Sequence, residues 1–532
     1  MTTHYEDVIV GAGHNGLTAA AYLARAGRSV LVLEQADHVG GAAVSAMPFP
    51  GVPARLSRYS YLVSLMPRQI IADLDLDIRL VRRRFSSFTP LPHDPARGIL
   101  VDTADPDRTA ASFRAATGSD TEFTAWQWFY ARIGRIAQRV FPTLTRRLVD
   151  ADELRAIVAG DDVGGLDSST AEMWEMLTER PLGEVVERYF DDDVVRGIVA
   201  TDGLIGTFAD LHDPTLRQNV CFLYHVIGGG TGNWDVPVGG MGAVSGALYQ
   251  AALSAGAEIR TGARVTGIDP GSSGTPATVE FDTADRAGSR SRRRSVTAST
   301  VLAACAPDVV NRLLDDPVDA DPDTAGAQLK INLLLDRLPA LRDGGVAPDA
   351  AFAGTFHINE SYDQLRAAWL QARRDEVPDL PPCEIYCHTL SDRSILGAEL
   401  DGKHTLTLFA LHMPPGVFGA PGAAQHAVDA TLASLNSVLA EPIQSVLASD
   451  IHGNPCLEVK TPLDLEATLG LPGGNIFHRA LRWPWAESAA EVGTWGVETA
   501  HPRLLIAGAG ARRGGGVSGI PGHNAAAAVL GW

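Results

Sequence analysis

The sequence contains little lysine, little cysteine and no long apolar run, and each shortage excludes a class of protein. Three lysines occur among 532 residues, so arginine carries most of the positive charge. The formal net charge of −19 excludes nucleic acid as an expected partner and disfavours an electrostatic membrane anchor. Five scattered cysteines, an odd number, do not support a disulfide scaffold. No stretch of about 20 apolar residues occurs that could span a membrane.

The remaining bulk properties are those of a globular protein with more than one domain. Hydrophobic residues make up 45% of the chain and charged residues 20%. A length of 532 residues predicts about two to four domains. The N-terminal residues enter an apolar strand directly, without the pattern of a signal peptide, so the expected compartment is the cytoplasm.

A strand–helix–strand pattern near the N-terminus organises the chain. The apolar run 8–10 predicts a buried parallel strand, and residues 17–26 predict an Ala-rich helix that Gly27 ends. A second buried strand is predicted over 29–33. This order is that of a βαβ unit.

Three glycines between the first strand and the helix give this unit its function. Gly11 permits the tight turn, Gly13 lets the backbone approach a pyrophosphate, and Gly16 lets the helix pack closely on the strand. The free N–H groups of the helix N-terminus attract the phosphates. Glu34, at the end of the second strand, can accept hydrogen bonds from ribose hydroxyls.

The residues around Glu34 favour FAD over a nicotinamide dinucleotide. An acidic residue at this position argues against the 2′-phosphate of NADP. Gly40 and Gly41 follow soon afterwards and indicate a second close approach of the backbone to the ligand. A long, extended FAD needs such an approach beyond its pyrophosphate.

The middle of the chain leaves this α/β pattern and then returns to it. Apolar residues at spacings of three and four predict a mainly helical cap over 107–200. A helix over 243–255, two short strands within 258–268 and a buried strand over 301–304 restore the α/β layer. A further helix is predicted over 431–447.

The C-terminal region repeats the order of strand, glycine turn and helix seen near the N-terminus. Residues 503–506 predict a strand, residues 508–522 a glycine-dense turn, and residues 524–530 an Ala-rich helix. A second complete βαβ unit does not follow. We therefore expect this region to complete the first α/β layer, with its helix dipole directed at the flavin pyrimidine ring.

These motifs together resemble the phytoene desaturase-like branch of the flavin amine oxidase superfamily, of the type called pyridine nucleotide-disulfide oxidoreductase domain-containing protein 2. The resemblance extends over nearly the whole chain. It is carried by residues 8–17, 40–44, 57–65, 201–206, 239–243, 330–338 and 508–526.

The resemblance implies an α/β flavoprotein with a Rossmann-type FAD-binding domain and an α+β substrate domain with a helical cap. It places residues 1–70, 235–315 and 495–532 in the FAD-binding domain. The substrate domain then comprises 71–234 and 316–494.

Residue by residue, the resemblance also implies a set of FAD contacts. The ADP half is held by the first glycines and the acid, adenine by the backbone of one strand residue, and the flavin by the C-terminal turn. The implied residues are Gly11, Gly13, Gly16, Glu34, Gly40, Gly41, Val265, Gly510, Gly519 and Ile520.

The implied chemistry is oxidation at carbon–carbon bonds. The expected reaction is desaturation, dehydrogenation or double-bond isomerisation of an apolar polyene, isoprenoid, lipid or polyketide-type substrate, with hydride transfer to flavin N5 and O2 or a quinone-like electron acceptor. A flavin amine oxidase and a non-catalytic flavin-bound assembly protein or chaperone are the alternatives. Ala42 stands where amine oxidases have arginine, which disfavours the first alternative. Peripheral membrane contact and oligomeric state stay open.

Two side chains are the candidates for a catalytic role. Amine oxidases have a lysine that holds a water near flavin N5, and Lys330 at the head of an apolar strand is in the corresponding position. Arg512 and its neighbour Arg513 could present a cation to the flavin or to an acidic substrate group, or could lie at the surface. We find no metal-ligand pattern in the sequence and predict no metal.

Overall fold

The computed structural model describes residues 3–160, 167–272, 274–284, 291–316 and 325–532. Within these ranges the strands are β1 (Thr3–Val10), β2 (Val30–Leu33), β3 (Ser45–Ala46), β4 (Leu56–Ser57), β5 (Leu80–Val81), β6 (Phe85–Leu91), β7 (Asp94–Asp102), β8 (Val236–Pro237), β9 (Glu258–Arg260), β10 (Ala263–Asp269), β11 (Ala277–Ala284), β12 (Ser291–Ala303), β13 (Leu329–Leu335), β14 (Thr355–Ile358), β15 (Cys383–Tyr386), β16 (His404–Ala410), β17 (Leu457–Lys460) and β18 (Leu504–Ile506).

The α-helices in the same ranges are α1 (His14–Arg25), α2 (Arg68–Asp73), α3 (Pro106–Thr117), α4 (Thr121–Val140), α5 (Ala151–Ala159), α6 (Ser168–Glu179), α7 (Leu182–Tyr189), α8 (Asp193–Ala200), α9 (Arg217–Val226), α10 (Met241–Ser254), α11 (Pro307–Leu313), α12 (Pro348–Phe352), α13 (Tyr362–Ala372), α14 (Ala423–Asn436), α15 (Pro462–Leu469) and α16 (Ile520–Leu530). None of the helices in the described ranges has both the length and the apolar character that crossing a membrane requires.

The first of two large sheets is built around β1. This strand pairs in parallel with β2 on one side and with β12 on the other, and β18 joins β12 in parallel. The full order is β10-β11-β12-β1-β2-β9, with β18 beside this path. The strands therefore come from the beginning, the middle and the end of the chain, as a Rossmann-type domain made of separated segments requires.

Close packing between α1 and β1 explains one glycine of the first turn. A Cβ atom on Gly16 would lie 2.1 Å from the carbonyl oxygen of Gly11, which is too close for any side chain. The helix begins at His14 and ends at Arg25, and Gly27 takes a φ of +83°, which glycine adopts readily.

The second sheet has the order β17-β13-β16-β15-β14-β6-β7. Its neighbouring strands are antiparallel except for the parallel pair β6 and β14. Its core contains apolar side chains that are fully buried, including Phe88, Ile331, Phe356 and Leu408.

The predicted helical cap is present as α3 to α8, apart from residues 161–166, which lie outside the described residues. On α4 the side chains of Phe129, Ile133, Ile136 and Val140 are buried at spacings of three and four. This stripe packs into the apolar core that also contains α1 and α16.

The helix predicted over 431–447 is wrong in its extent. The observed helix α14 begins earlier, at Ala423, and ends at Asn436. The Asn436 side-chain oxygen accepts a hydrogen bond from the backbone N–H of Ile443 at 2.7 Å. Pro442 lies in the segment that this bond closes, and the apolar residues beyond it continue as a short 3₁₀ turn.

Candidate functional site

One large cavity extends from the first sheet to the second. Its volume is about 1360 Å³, which exceeds the roughly 300–1,000 Å³ of a usual small-molecule pocket. The lining residues come from the first glycine turn, from the helical cap and from one face of the second sheet. The cavity therefore has room for a dinucleotide and a further small molecule.

The nucleotide end of the cavity contains most of the predicted ADP contacts. Gly11, Gly13, Glu34, Gly41 and Val265 line it. Gly16 and Gly40 do not line the cavity. Gly40 stabilises the glycine turn instead, because its N–H donates to the Ala12 carbonyl at 2.8 Å.

The glycines at this end form a cradle that fits a dinucleotide backbone. A Cβ atom on Gly13 would meet no protein atom within 4 Å, so the space in front of this residue is open. A Cβ on Gly41 would lie 3.2 Å from the Cα of Gly13, because the two loops touch. Two bare backbone segments thus meet at the N-terminus of α1, where phosphates bind well.

The carboxylate of Glu34 is held in place by the backbone around it. One of its oxygens accepts from the N–H of Ala12 at 2.7 Å and the other from the N–H of Ala36 at 2.8 Å. Each carboxylate oxygen has a second lone pair. Glu34 therefore retains the capacity to accept from ribose hydroxyls.

At the flavin end, the structure places different residues in the cavity wall from those predicted. Gly515, Gly516 and Val517 line the cavity, whereas Gly510, Gly519 and Ile520 do not. A Cβ on Gly510 would lie 2.5 Å from the Pro307 ring, so this glycine serves packing. Gly519 is the N-cap of α16 with a φ of +72°, and Ile520 begins that helix.

Lys330 also lines the cavity. Its Nζ donates to the carbonyl oxygens of Ser57 and Tyr59 at 2.9 and 2.5 Å and lies 4.8 Å from the centre of the Tyr61 ring. Only 4% of the residue is exposed. Burial lowers the pKa of the amine well below its usual value, against a smaller opposing effect of Glu458.

Lys330 belongs to a row of cross-strand partners that forms one wall of the cavity. His357 pairs with Glu384, Glu384 with Phe409, and Phe409 with Lys330. Paired residues of an antiparallel sheet lie on the same face, and neighbouring strands are about 4.8 Å apart. We call these four residues, with Thr355 and Tyr386 on the same face, the sheet wall; all six line the cavity.

Three ionisable side chains meet at one end of the sheet wall. His357 Nδ1 lies 2.5 Å from Glu360 Oε2 and 4.0 Å from Glu384 Oε1, and the Tyr386 hydroxyl donates to Glu384 Oε2 at 2.6 Å. Burial and the charge of Glu360 raise the pKa of Glu384 to about 8. Asp202, which also lines the cavity, has its pKa raised to about 7 by burial.

Glu360 reaches this cluster because the alternation of side chains between the two faces of β14 stops before this residue. Residues three apart in a strand point to opposite faces. Asn359 takes a φ of +51°, which turns the chain and brings Glu360 back to the side of His357. The Gly197 position of α8 packs against this turn, since a Cβ there would lie 1.8 Å from the Glu360 carbonyl oxygen.

A second part of the cavity lining is mainly apolar. It is formed by α4, α8 and α9, and we call it the helical wall; its residues include Trp126, Tyr130, Ile133, Ile198, Tyr224 and Val226. We call the part of the cavity that the sheet wall and the helical wall line the substrate half. Its lining therefore combines an apolar surface with a partly ionisable one.

The structure places Arg512 and Arg513 outside the cavity lining. The Arg512 guanidinium binds Glu487 and Glu491 and donates to the carbonyl oxygens of Trp483 and Trp485. Arg513 donates to the carbonyls of residues 143, 146 and 495. These cations hold the C-terminal turn against the cap, and we do not propose a catalytic role for Arg512.

One cavity joins a Rossmann-type sheet with a glycine turn to a second sheet with a buried lysine. This arrangement defines a flavin-dependent oxidoreductase with FAD as its cofactor. Two family models match the chain: an NAD(P)-binding Rossmann-like domain over residues 9–66 and a flavin containing amine oxidoreductase over residues 122–336.

Two full-length relatives define the family. An uncharacterized protein of Mycobacterium tuberculosis is 49% identical over 541 residues, which cover 100% of this chain and 98% of the relative. Pyridine nucleotide-disulfide oxidoreductase domain-containing protein 2 of Rattus norvegicus is 30% identical over 576 residues, which cover 100% of this chain and 94% of the relative. The chain belongs to this branch of the flavin-containing amine oxidoreductase family.

A solved structure shares the fold at much lower identity. A form of putrescine oxidase redesigned for cofactor binding matches with a TM-score of 0.59 and 18% identity, covering 100% of both chains. The match shows a shared fold.

The His357–Glu360–Glu384 cluster is the part of the site that sequence reasoning missed. Its members lie on two strands and one turn, and only the sheet register brings them together. The H-x-x-E spacing of His357 and Glu360 was a weak signal, because spacing of three in a strand predicts opposite faces.

Proposed function

We propose that this protein oxidises a carbon–carbon bond of an apolar polyene, isoprenoid, lipid or polyketide-type substrate. The observation that carries this proposal is the cavity beyond the nucleotide end, whose lining combines the apolar helical wall with the buried amine of Lys330. The helical wall suits an apolar carbon skeleton, whose burial is favourable in proportion to its area.

In the proposed reaction two C–H bonds break and a C=C bond forms. When bound, FAD accepts the hydride at N5 and passes the electrons on to O2 or a quinone-like acceptor. The other hydrogen leaves as a proton, and a group of the protein or a water molecule held by it must accept that proton.

Lys330 has the hydrogen bonds of a proton acceptor. A neutral amine has two N–H donors and one lone pair. The two donors are used by the carbonyl oxygens of Ser57 and Tyr59, so the lone pair stays free. Burial lowers the pKa of the amine and so shifts its equilibrium toward this neutral form.

An amine substrate is the second candidate, because a solved structure of the same fold is a putrescine oxidase bound to putrescine. The Tyr61 ring beside Lys330 and its neighbour Tyr386 argue against it. The ring centres of Tyr61 and Tyr386 lie 4.8 Å apart at an angle of 39°, so the rings pack on one another and leave no gap for a substrate.

Anaerobic reduction of the bound flavin tests the proposal. The FAD-loaded protein is mixed with fractionated polyene and lipid extracts or with putrescine, and the loss of flavin absorbance is followed. We expect bleaching by a lipid fraction, with a product that has lost two hydrogens by mass spectrometry. Bleaching by the amine alone supports the second candidate, and no bleaching by any fraction supports a flavin-bound assembly protein.

The variant Lys330→Met tests the assigned residue. We expect it to retain FAD but to melt at a lower temperature, because methionine fills the same space and leaves the carbonyl oxygens of Ser57 and Tyr59 without this donor. Its flavin should be reduced at least tenfold more slowly by the active fraction. Unchanged reduction would remove Lys330 from the mechanism.

A further inference from the structure

The cluster at the end of the sheet wall has an excess of buried carboxylates. Glu360 is fully buried, Glu384 is 2% exposed and His357 is 5% exposed. Isolated carboxylates are costly to bury unless a cation or hydrogen-bond donors neutralise them. Two groups near the cluster can carry a positive charge: His357 and the Arg83 guanidinium, which lies 5.6 Å from the centre of the Tyr386 ring. They are fewer than the three carboxyl groups, which belong to Glu360, Glu384 and Asp202.

The Arg83 guanidinium does not pair directly with these carboxylates. It donates to the Trp234 carbonyl at 3.1 Å and to the Thr355 hydroxyl at 3.2 Å, and the described residues form no ion pair with it within 4.0 Å. The Asp202 carboxylate has no ion-pair partner among the described side chains either. The carboxyl groups of the cluster therefore have few cationic partners among the described side chains.

One oxygen of the cluster also has no partner. Glu360 Oε2 contacts His357, whereas Glu360 Oε1 has no hydrogen-bond partner although the residue is fully buried. A buried polar atom without a hydrogen-bond partner is destabilising. Glu360 Oε1 lies beside an imidazole and a second carboxyl group and is free to coordinate a cation.

We propose that His357, Glu360 and Glu384 bind a divalent first-row transition metal ion, such as Mn²⁺ or Zn²⁺. One ligand atom from each residue lies within 4.8 Å of the other two, a span that modest side-chain rotation closes to coordination distance. One imidazole nitrogen and two carboxylates form a mixed set that suits these ions better than Mg²⁺ or Ca²⁺, which prefer oxygen ligands. The ion takes the place of the proton shared by His357 and Glu360.

The site opens toward the substrate half of the cavity. His357 and Glu384 line the cavity, whereas Glu360 supports His357 from behind. A bound ion thus has an open coordination position that accepts an oxygen atom of the substrate, such as a hydroxyl, carbonyl or carboxylate. This role rests on the proposed function, whereas metal binding itself does not.

Metal binding to the FAD-loaded protein tests the site without any substrate. The protein is dialysed against a chelator, then titrated with MnCl₂, and free Mn²⁺ is measured by electron paramagnetic resonance; ZnCl₂ then competes. We expect one Mn²⁺ per chain, displaced by Zn²⁺ and not by MgCl₂. Absence of bound Mn²⁺ and Zn²⁺ would overturn the proposal and leave the cluster as a hydrogen-bonded histidine–carboxylate pair.

Three variants locate the bound ion. We expect His357→Gln, Glu360→Gln and Glu384→Gln each to weaken Mn²⁺ binding at least tenfold. The matched control is Glu122→Gln, since Glu122 is 5% exposed and also has one unpartnered oxygen, but lies on α4 beside the Asp191 N–H. Binding that all three cluster variants leave intact would place the ion elsewhere and overturn the proposal. Flavin absorbance and melting temperature identify any variant that fails to fold, and the two others then decide.

Discussion

The two ends of the cavity are built in opposite ways. At the nucleotide end, one stretch of about 30 residues supplies two strands, a helix, three glycines and an acid in the order in which they are used. The sheet wall instead places side chains from β13, β14, β15 and β16 in one row. Binding of the cofactor thus depends mainly on local sequence, whereas the substrate half depends on the register of distant strands.

Substitution at Gly16 is expected to break the nucleotide end. A Cβ there would lie 2.1 Å from the Gly11 carbonyl oxygen, so Gly16→Ala must separate α1 from β1. We expect the free energy of unfolding to fall by about 3 kcal/mol, together with loss of bound FAD. Chemical denaturation and flavin absorbance measure the two effects.

The matched control is Gly13→Ala, which separates folding from ligand binding at the same turn. Gly13 has a φ of −68°, and a Cβ atom added to it would meet nothing within 4 Å, so the apoprotein should keep its stability within about 0.5 kcal/mol. Its FAD affinity should still fall, because the new methyl group lies where the backbone approaches the pyrophosphate. Equal unfolding of the two variants would contradict this explanation.

Gly197→Ala is expected to damage the sheet wall and spare the nucleotide end. Its Cβ would lie 1.8 Å from the Glu360 carbonyl oxygen, so the turn that carries Glu360 must move. We expect a loss of about 3 kcal/mol in stability, with FAD affinity unchanged. Gly246→Ala on α10 is the control, since a Cβ there meets nothing within 4 Å. A large loss of FAD from Gly197→Ala would show that the two ends are not independent.

Arg512→Gln tests whether the C-terminal turn acts through packing or through chemistry. Arg512 is 2% exposed and binds two carboxylates that are partly exposed. Its removal should cost about 2 kcal/mol, since water can reach the abandoned carboxylates. Thermal melting measures this loss, and the rate of anaerobic flavin reduction should stay within twofold. A tenfold slower reduction at full FAD occupancy would make Arg512 a catalytic candidate again.

Acid is expected to remove the stability that two buried neutral histidines contribute. Burial lowers the pKa of His412, which lies 1% exposed just beyond β16, to about 3, and the pKa of His14 at the nucleotide end to about 4. Below the ordinary histidine pKa of about 6.5 the unfolded chain binds a proton that the folded protein cannot bind. Stability is therefore present above pH 6.5 and lost as the pH falls.

His412→Asn isolates one of these contributions. Asparagine accepts the left-handed backbone of this position, where φ is +55°, and does not titrate. Between pH 7 and pH 5.5 the wild type should lose about 1 kcal/mol more than the variant, by the linkage of a histidine pKa to stability. Urea denaturation at the two pH values measures the difference. Parallel losses in both proteins would mean that His412 is protonated without unfolding.

The same contrast explains how much of the protein could be predicted from its sequence. The βαβ unit, the FAD cofactor and the return of the chain to the first sheet follow from local patterns, and the fold class is confirmed. The roles of the individual site residues stay predictions, although Gly13, Glu34 and Lys330 do line the cavity.

The parts that could not be predicted depend on contacts between distant residues. Pairing of His357 with Glu384 requires the register of two strands, and the return of Glu360 requires a left-handed Asn359. The glycine-dense C-terminal turn contains several glycines that the sequence alone does not distinguish as flavin contacts. Gly510 packs against Pro307 and does not line the cavity, which only the folded structure shows.

The late position of β18 has a consequence for how the protein is made. This strand adds to β12 only after the whole second sheet and the helical cap have been synthesised. The glycine turn after β1 therefore leaves the ribosome long before the C-terminal segment that closes the flavin end. Pairing of β18 with β12 joins distant parts of the chain, and such pairing is slow. Until β18 is made, residues 301–303 of β12 lack one neighbour and form an open sheet edge, at which another chain can pair.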